Sequence, residues 1–241
     1  MITYERIYPL SETAIVVDFG TTVDEETHKK VHALCTYLQN NKLNIIKEFV
    51  PAYTTVTIYY DCYMAFQQIS SYNVTSGYEV MKAILKELLT NMKETVDEKK
   101  KVIEIPVCYG GSFGPDLEIV AKHHHLTPEQ VIHIHSKPKY LVHMIGFAPG
   151  FPYLGGLNEE IATPRRQSPR VKIPAGSVGI AGNQTGVYPI ESPGGWQIIG
   201  RTPVKLFNPH KTPPTLLQTG NYITFKPISR KEYEQLAGVE W

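Results

Sequence analysis

The run from His143 to Pro203 decides the fold. It reads HMIGFAPGFPYLGGL from His143 to Leu157, TPRRQSPRVKIPAGSVGIAGNQTG from Thr163 to Gly186, and VYPIESPGGWQIIGRTP from Val187 to Pro203. Eleven of the chain's 18 glycines fall between Gly146 and Gly200. Glycine takes positive φ and admits close backbone approach, whereas proline fixes φ and removes a donor. Dense in both, and interrupted by apolar runs such as Ser177–Ala181 and Gln197–Ile199, the stretch reads as tightly turned β structure. A flexible linker would not carry Phe147, Phe151, Tyr153, Tyr188 and Trp196, whose apolar bodies need burial.

Charge sharpens this reading. Between Ile161 and Lys231 stand ten basic residues and one acid, Glu191, in a chain whose formal net charge is +1. Such polarity attracts anions. Arg165, Arg166 and Arg170 sit close together among prolines, and a guanidinium fork matches carboxylate or phosphate. A positioned anion site is therefore expected, against the alternative of a solvated basic face.

Outward from this run, 241 residues with 42% hydrophobic and 20% charged content describe a globular chain of one or two domains. The start, MITYERIYPLSETAIVV, lacks a signal-peptide pattern, and no apolar run reaches the roughly 20 residues of a membrane span. Cys35, Cys62 and Cys108 form neither a disulfide framework nor a CxxC site. A cytoplasmic protein is expected.

Tyr4–Tyr8 and Ala14–Phe19 read as strands joined by a turn at Leu10–Glu12. A helix is expected from Asp24 to about Asn40, with Val31, Leu34, Cys35 and Leu38 inward. Strands Ile45–Val50 and Thr54–Tyr60 follow, then a helix from near Gly77 that buries Val80, Met81, Ile84, Leu85 and Leu88. This is a small α+β domain, a sheet with helices on one face, over residues 1–97. The charged run Asp97-Glu98-Lys99-Lys100-Lys101 marks the boundary, and a mainly-β domain occupies 98–241. It opens with strand Val102–Tyr109, the turn Gly110–Asp116 and two short helices. The second helix starts at Thr127-Pro128-Glu129-Gln130, a capping box. Short strands run from Tyr140 to Tyr222–Pro227, and Arg230–Ala237 is a terminal helix.

His123, His124, His125, His133 and His135 crowd together but lack zinc-ligand spacing, so no metal site is expected. His135, followed by Ser136 at a helix end, is a candidate polar contact or cap. YGGSFGP at Tyr109–Pro115 matches neither nucleotide motif and reads as a sharp turn. The loops Gly182–Gly186 and Ser192–Trp196 offer amide, hydroxyl and aromatic groups to a ligand and, with the arginines, one wall of a pocket. No nucleophile–base pair is legible. Nucleic-acid binding is disfavoured by the near-neutral total charge.

Long motifs carry a resemblance over nearly the whole chain. They are Val50-Pro51-Ala52-Tyr53, Tyr109-Gly110-Gly111, Gly114-Pro115-Asp116-Leu117, His135-Ser136, Gly146-Phe147, Pro149 to Leu157, and Pro164-Arg165-Arg166. Pro169-Arg170, Pro174 to Gly182, Gln184-Thr185-Gly186, Ser192 to Trp196 and Ile199 to Pro203 complete the set. The sequence resembles the family that includes KipI, the PxpB component of bacterial ATP-dependent 5-oxoprolinase and subunit 1 of allophanate hydrolase. Ser11-Glu12-Thr13 and the triple histidine depart from its usual pattern, both in local turns. The resemblance implies a cyclophilin-like β-barrel for the second domain. It also implies a lactam hydrolase component that works in complex, opening 5-oxo-L-proline to L-glutamate. ATP with Mg is the implied co-substrate, at a site the partner can share. The implied partners are a KipA-like protein and a LamB/YcsF-like protein. The alternatives within the family are an inhibitor that binds a sporulation histidine kinase, and a component of an allophanate or urea amidolyase-type hydrolase. On chemical grounds, Arg165, Arg166 and Arg170 are expected to hold phosphate or the substrate carboxylate. Gln184 and Thr185 are expected at the lactam, Tyr153 and Trp196 at the pocket wall, and His135 and Arg201 as further polar contacts.

Overall fold

The computed structural model describes residues 2–92 and 101–237. The chain divides into two compact units, Met1–Glu98 and Lys99–Trp241. Of the boundary run, Asp97-Glu98-Lys99-Lys100 lies outside the described residues.

In the first unit, strands β1 (Arg6–Ser11), β2 (Ala14–Asp18), β3 (Ile46–Pro51) and β4 (Thr55–Tyr60) form an antiparallel sheet in the order β1-β2-β4-β3. Helix α1 (Glu25–Asn40) is started by Asp24, whose carboxylate accepts from the Thr27 N–H at 2.7 Å. Two short helices absent from the sequence reading follow the sheet, α2 (Cys62–Gln67) and α3 (Ile69–Tyr72). Asp61 caps α2, accepting from the backbone of Tyr63 and Met64. Helix α4 (Gly77–Asn91) is started by Ser76, whose hydroxyl accepts from the Glu79 N–H. Val31, Leu34 and Leu38 of α1 and Met81, Leu85 and Leu88 of α4 join one core with Ile15, Val17, Val56 and Ile58. Period-2 strand residues thus meet period-3.6 helix residues on one sheet face.

The second unit begins with β5 (Val102–Tyr109), α5 (Leu117–His123) and α6 (Pro128–Ser136). Strands β6 (Tyr140–Ile145), β7 (Pro152–Gly155), β8 (Arg170–Ile173), β9 (Ser177–Ala181) and β10 (Gln184–Val187) follow. The chain ends with β11 (Ser192–Gly194), β12 (Gln197–Arg201), β13 (Tyr222–Pro227) and α7 (Arg230–Leu236). Seven strands close a barrel in the order β10-β7-β6-β13-β5-β12-β9, and β8 and β11 form a separate ribbon. Among the described strands of the barrel, only the β5–β13 pair is parallel. Val107, Val142, Leu154, Val178, Ile180, Val187, Ile199 and Phe225 make its core, to which α5 and α6 add Val120 and Val131. The capping box at Thr127 and Gln130 is present. Among the described residues no helix is long and apolar enough to cross a membrane.

One polar chain runs through this core. His135 is fully buried and stacks on Phe225. The Thr185 hydroxyl donates to the Gly179 carbonyl, so it accepts from His135 Nε2–H at 2.8 Å. Nδ1 is then the acceptor, and Tyr109 donates to it at 2.8 Å. Tyr140 donates to the His135 carbonyl at 2.6 Å. Burial holds the His135 pKa down at about 3. The unfolded chain takes up that proton below about pH 6.5, so this contribution to stability is complete above pH 6.5 and is lost as pH falls. The slope for one proton is about 1.4 kcal/mol per pH unit. The urea midpoint of the protein should therefore fall more steeply between pH 6.5 and 4 than that of His135→Gln. Parallel slopes would show that His135 is not held neutral.

Candidate functional site: an anchored arginine cluster beside an aromatic slot

The turn from Gly110 to Asp116 lies along the edge of β12. Gly110 N–H donates to the Ile199 carbonyl at 3.0 Å and Asp116 N–H to the Ile198 carbonyl at 2.9 Å. The approach is so close that a Cβ at Gly114 would overlap the Ile199 carbonyl. This turn delivers Asp116, which is 1% exposed. Asp116 occupies the N-cap position of α5 but makes no side-chain capping bond. Its carboxylate turns instead to the arginines. Oδ2 accepts from Arg170 Nη1 at 2.8 Å and from the Ile198 N–H at 2.7 Å. Oδ1 accepts from Arg170 Nη2 at 2.8 Å and from Arg166 Nη1 at 2.9 Å. Arg170 thus spends both ends of its fork on Asp116, and Arg166 spends one. The Arg166 backbone N–H donates to the Gly195 carbonyl at 2.7 Å, so the arginine loop runs beside the loop that carries Trp196.

On the outer face of β9 and β10, Gly179 and Gly186 stand directly opposite each other. With no side chains there, the Phe151 and Trp196 rings settle onto the strands. A Cβ at Gly186 would lie 3.1 Å from both rings, and one at Gly179 3.2 Å from Trp196 Cβ. Phe151 makes edge-on contacts with Tyr153, Tyr188 and Trp196. Ile173 of the β8–β11 ribbon completes this second cluster. Over it stands Phe147, 68% exposed and held at φ +66 by the turn Gly146–Phe151. A bulky residue in that conformation stores strain of the kind found at ligand-binding loops. Burial pushes the Tyr188 hydroxyl up to about 12, partly opposed by the Trp196 backbone N–H and by the nearby charge of Arg165.

Arg165, Arg166, Arg170, Tyr153 and Trp196 therefore gather on one side of the barrel. Arg165 is exposed and makes no hydrogen bond or ion pair among the described residues. Gln184 is half-buried at the start of β10. Thr185 and His135 lie inside the barrel with their polar atoms engaged as described above. Arg201 stands at the far end of β12, about 13 Å along the strand from Gln197, and donates to the Ala175 carbonyl at 2.8 Å. Sequence reasoning missed Asp116, Phe151 and Tyr188 as site residues. The signal for Asp116 was an acid in a Gly-Pro turn that had no basic neighbour in sequence. His124 bonds the Thr163 hydroxyl at 3.1 Å. Among the described residues no three His, Cys, Asp or Glu side chains converge as a metal site does. Two shallow clefts flank α7, about 310 and 320 Å³, the second lined by Gly110–Phe113 and Arg230. Neither touches the three arginines or the aromatic slot.

The slot gives a direct test. Gly186→Ala should displace the Phe151 and Trp196 rings, costing about 1–3 kcal/mol, as overpacking does. Urea unfolding and the Trp196 emission maximum, both in a Trp241→Phe background, read the two effects. An unchanged spectrum with unchanged stability would show that the glycine pair does not seat the rings.

Known proteins share both the sequence and the architecture. The model of "Carboxyltransferase domain, subdomain C and D" matches residues 5–217. The 5-oxoprolinase B subunit of Bacillus subtilis (strain 168) is 47% identical over 228 residues, 95% of each chain. That of Haemophilus influenzae is 42% identical over 220 residues, 91% of this chain and 96% of the other. The crystal structure of TTHA0988 superposes with a TM-score of 0.75 at 34% identity, covering 90% of this chain and 40% of that longer one. The chain belongs to the family of carboxyltransferase subdomains C and D, which includes these 5-oxoprolinase components.

Proposed function

We propose that this chain is the PxpB component of an ATP-dependent 5-oxoprolinase, which opens 5-oxo-L-proline to L-glutamate. The observation that carries the reading is the 47% identity to the Bacillus subtilis protein over 95% of both chains. The geometry supports it, since a lactam with a free carboxylate, activated by phosphoryl transfer, needs cationic donors in fixed positions. When bound, ATP with Mg supplies the phosphoryl group to the amide oxygen, which opens the ring carbonyl to water.

This chain's residues provide orientation and charge. Arg165 and Arg166 meet the carboxylate or the phosphoryl oxygens. Arg170 contributes charge and steadies Arg166 through Asp116. Tyr153, Trp196 and Phe147 bound the apolar face of the ring, and Gln184, at the start of β10, is assigned to the lactam amide. Thr185 and His135 support β10 from inside the barrel, and Arg201 fixes the turn at Ala175. The partners under this reading are a KipA-like protein and a LamB/YcsF-like protein, which complete the ATP and lactam sites.

The experiment is glutamate release from 5-oxoproline plus ATP by the three co-purified proteins, with this chain omitted in a parallel sample. Turnover that requires the chain is expected, and turnover indifferent to its omission would contradict the reading. Arg165→Ala should raise KM for 5-oxoproline or ATP by about tenfold, the worth of one charge-assisted hydrogen bond. Its thermal midpoint should stay unchanged, because the side chain holds nothing else among the described residues.

A further inference from the structure

We propose that Asp116 is a positioning residue, which with Arg170 holds Arg166 so that the unspent edge of the Arg166 guanidinium receives an oxyanion. The oxyanion is a carboxylate or a phosphoryl group, and its identity as part of 5-oxoproline or ATP rests on the function proposed above. The three arginines that look equivalent in sequence divide the work among them.

The division follows from the hydrogen bonds. Arg170 donates both Nη1 and Nη2 to one carboxylate that is shut away from solvent. Its fork is used up, and a second anion would compete with a desolvated partner. Arg166 donates only Nη1. Its Nη2 makes no bond among the described residues, and its Nε is buried with no hydrogen-bond partner. Two positions beyond the Gly195 carbonyl that holds the Arg166 N–H, Gln197 is 7% exposed, donates Nε2 to the Pro164 carbonyl at 3.0 Å, and has its Oε1 buried without a partner. Buried polar groups are normally satisfied, so an orphaned donor on the Arg166 loop and an orphaned acceptor at the start of β12 mark a site made for a polar ligand. Asp116 is itself fixed by the Ile198 N–H, so the Arg166 position is referred to the barrel wall through two rigid bonds. Two guanidiniums around one carboxylate leave one net positive charge, and Arg165 adds a second.

A strut that only stabilises the fold and a device that positions Arg166 differ in the sign of one measurement. Asp116→Asn keeps an acceptor for Ile198 but removes a negative charge beside the arginines. If Asp116 serves only to neutralise charge, inorganic phosphate should bind the variant more tightly. If it positions Arg166, phosphate should bind about tenfold more weakly despite the extra positive charge. The full chain carries two tryptophans, Trp196 and Trp241, so Trp241→Phe leaves Trp196 as the fluorescent reporter. Titrations use inorganic phosphate and, separately, acetate, which distinguish a phosphoryl from a carboxylate site. Arg166→Lys keeps the charge, loses the planar fork and is only partly buried, so it decides the matter should Asp116→Asn fail to fold. A loss of about tenfold or more in Arg166→Lys is expected. Phosphate and acetate both failing to bind the parent chain, Asp116→Asn binding as tightly as the parent, or Arg166→Lys binding unchanged would each overturn the proposal. Binding that follows the proposal in a chain whose assembled complex releases no glutamate would refute the oxoprolinase reading and leave the oxyanion site standing.

Discussion

A single carboxylate removed from water sets the terms for the second unit. Placing Asp116 at 1% exposure carries a desolvation penalty of several kcal/mol. Three guanidinium hydrogen bonds and one backbone N–H offset it. These bonds tie together four segments that the barrel ladder alone would not join: the turn before α5, the loop of Arg166, the ribbon strand β8 and the barrel strand β12. Removing either partner of such a pair leaves an uncompensated charge, typically at a cost of about 3–5 kcal/mol. The glycine at 114 belongs to the same constraint, because only an absent side chain lets the turn lie against the Ile199 carbonyl.

The aromatic slot obeys a complementary rule. There the strands β9 and β10 give up side chains at Gly179 and Gly186 so that Phe151 and Trp196 can be buried outside the barrel. β12 serves both arrangements: its outward residue Ile198 packs in the aromatic cluster while its N–H binds Asp116. The charged cluster and the aromatic cluster are consequently held against one strand. The interior of the barrel is given over to packing and to the His135 chain of hydrogen bonds, whose members are saturated by one another.

Much of this was legible in the sequence, for physical reasons. Period-3.6 and period-2 patterns placed α1, α4, β5 and β13, and the Thr127 capping box placed α6, since those signals are local. The glycine and proline density of 143–203 announced tight β structure, and the clustering of Arg165, Arg166 and Arg170 announced a charged site. What stayed hidden was long-range. Asp116 and Arg170 are 54 positions apart, and the fold alone brings them together. His135 looked like a helix-end residue because its burial depends on strands β10 and β13, far along the chain. Thr185 sat in an apparently open polar loop, but the alternation of β10 turns it inward and leaves Gly186 outward. The short helices α2 and α3 escaped because six and four residues give too little periodicity to read.

Asp116 fixes the guanidinium of Arg170 on both sides and leaves Arg165 at liberty. Side-chain nitrogen NMR of the arginines, assigned with Arg170→Lys, measures this most directly. Rotation about the Cζ–Nε bond should be slow for Arg170, giving separately resolved Nη protons, while the Nη signals of Arg165 average. Averaging at Arg170 as fast as that at Arg165 would show that Asp116 does not hold the Arg170 fork.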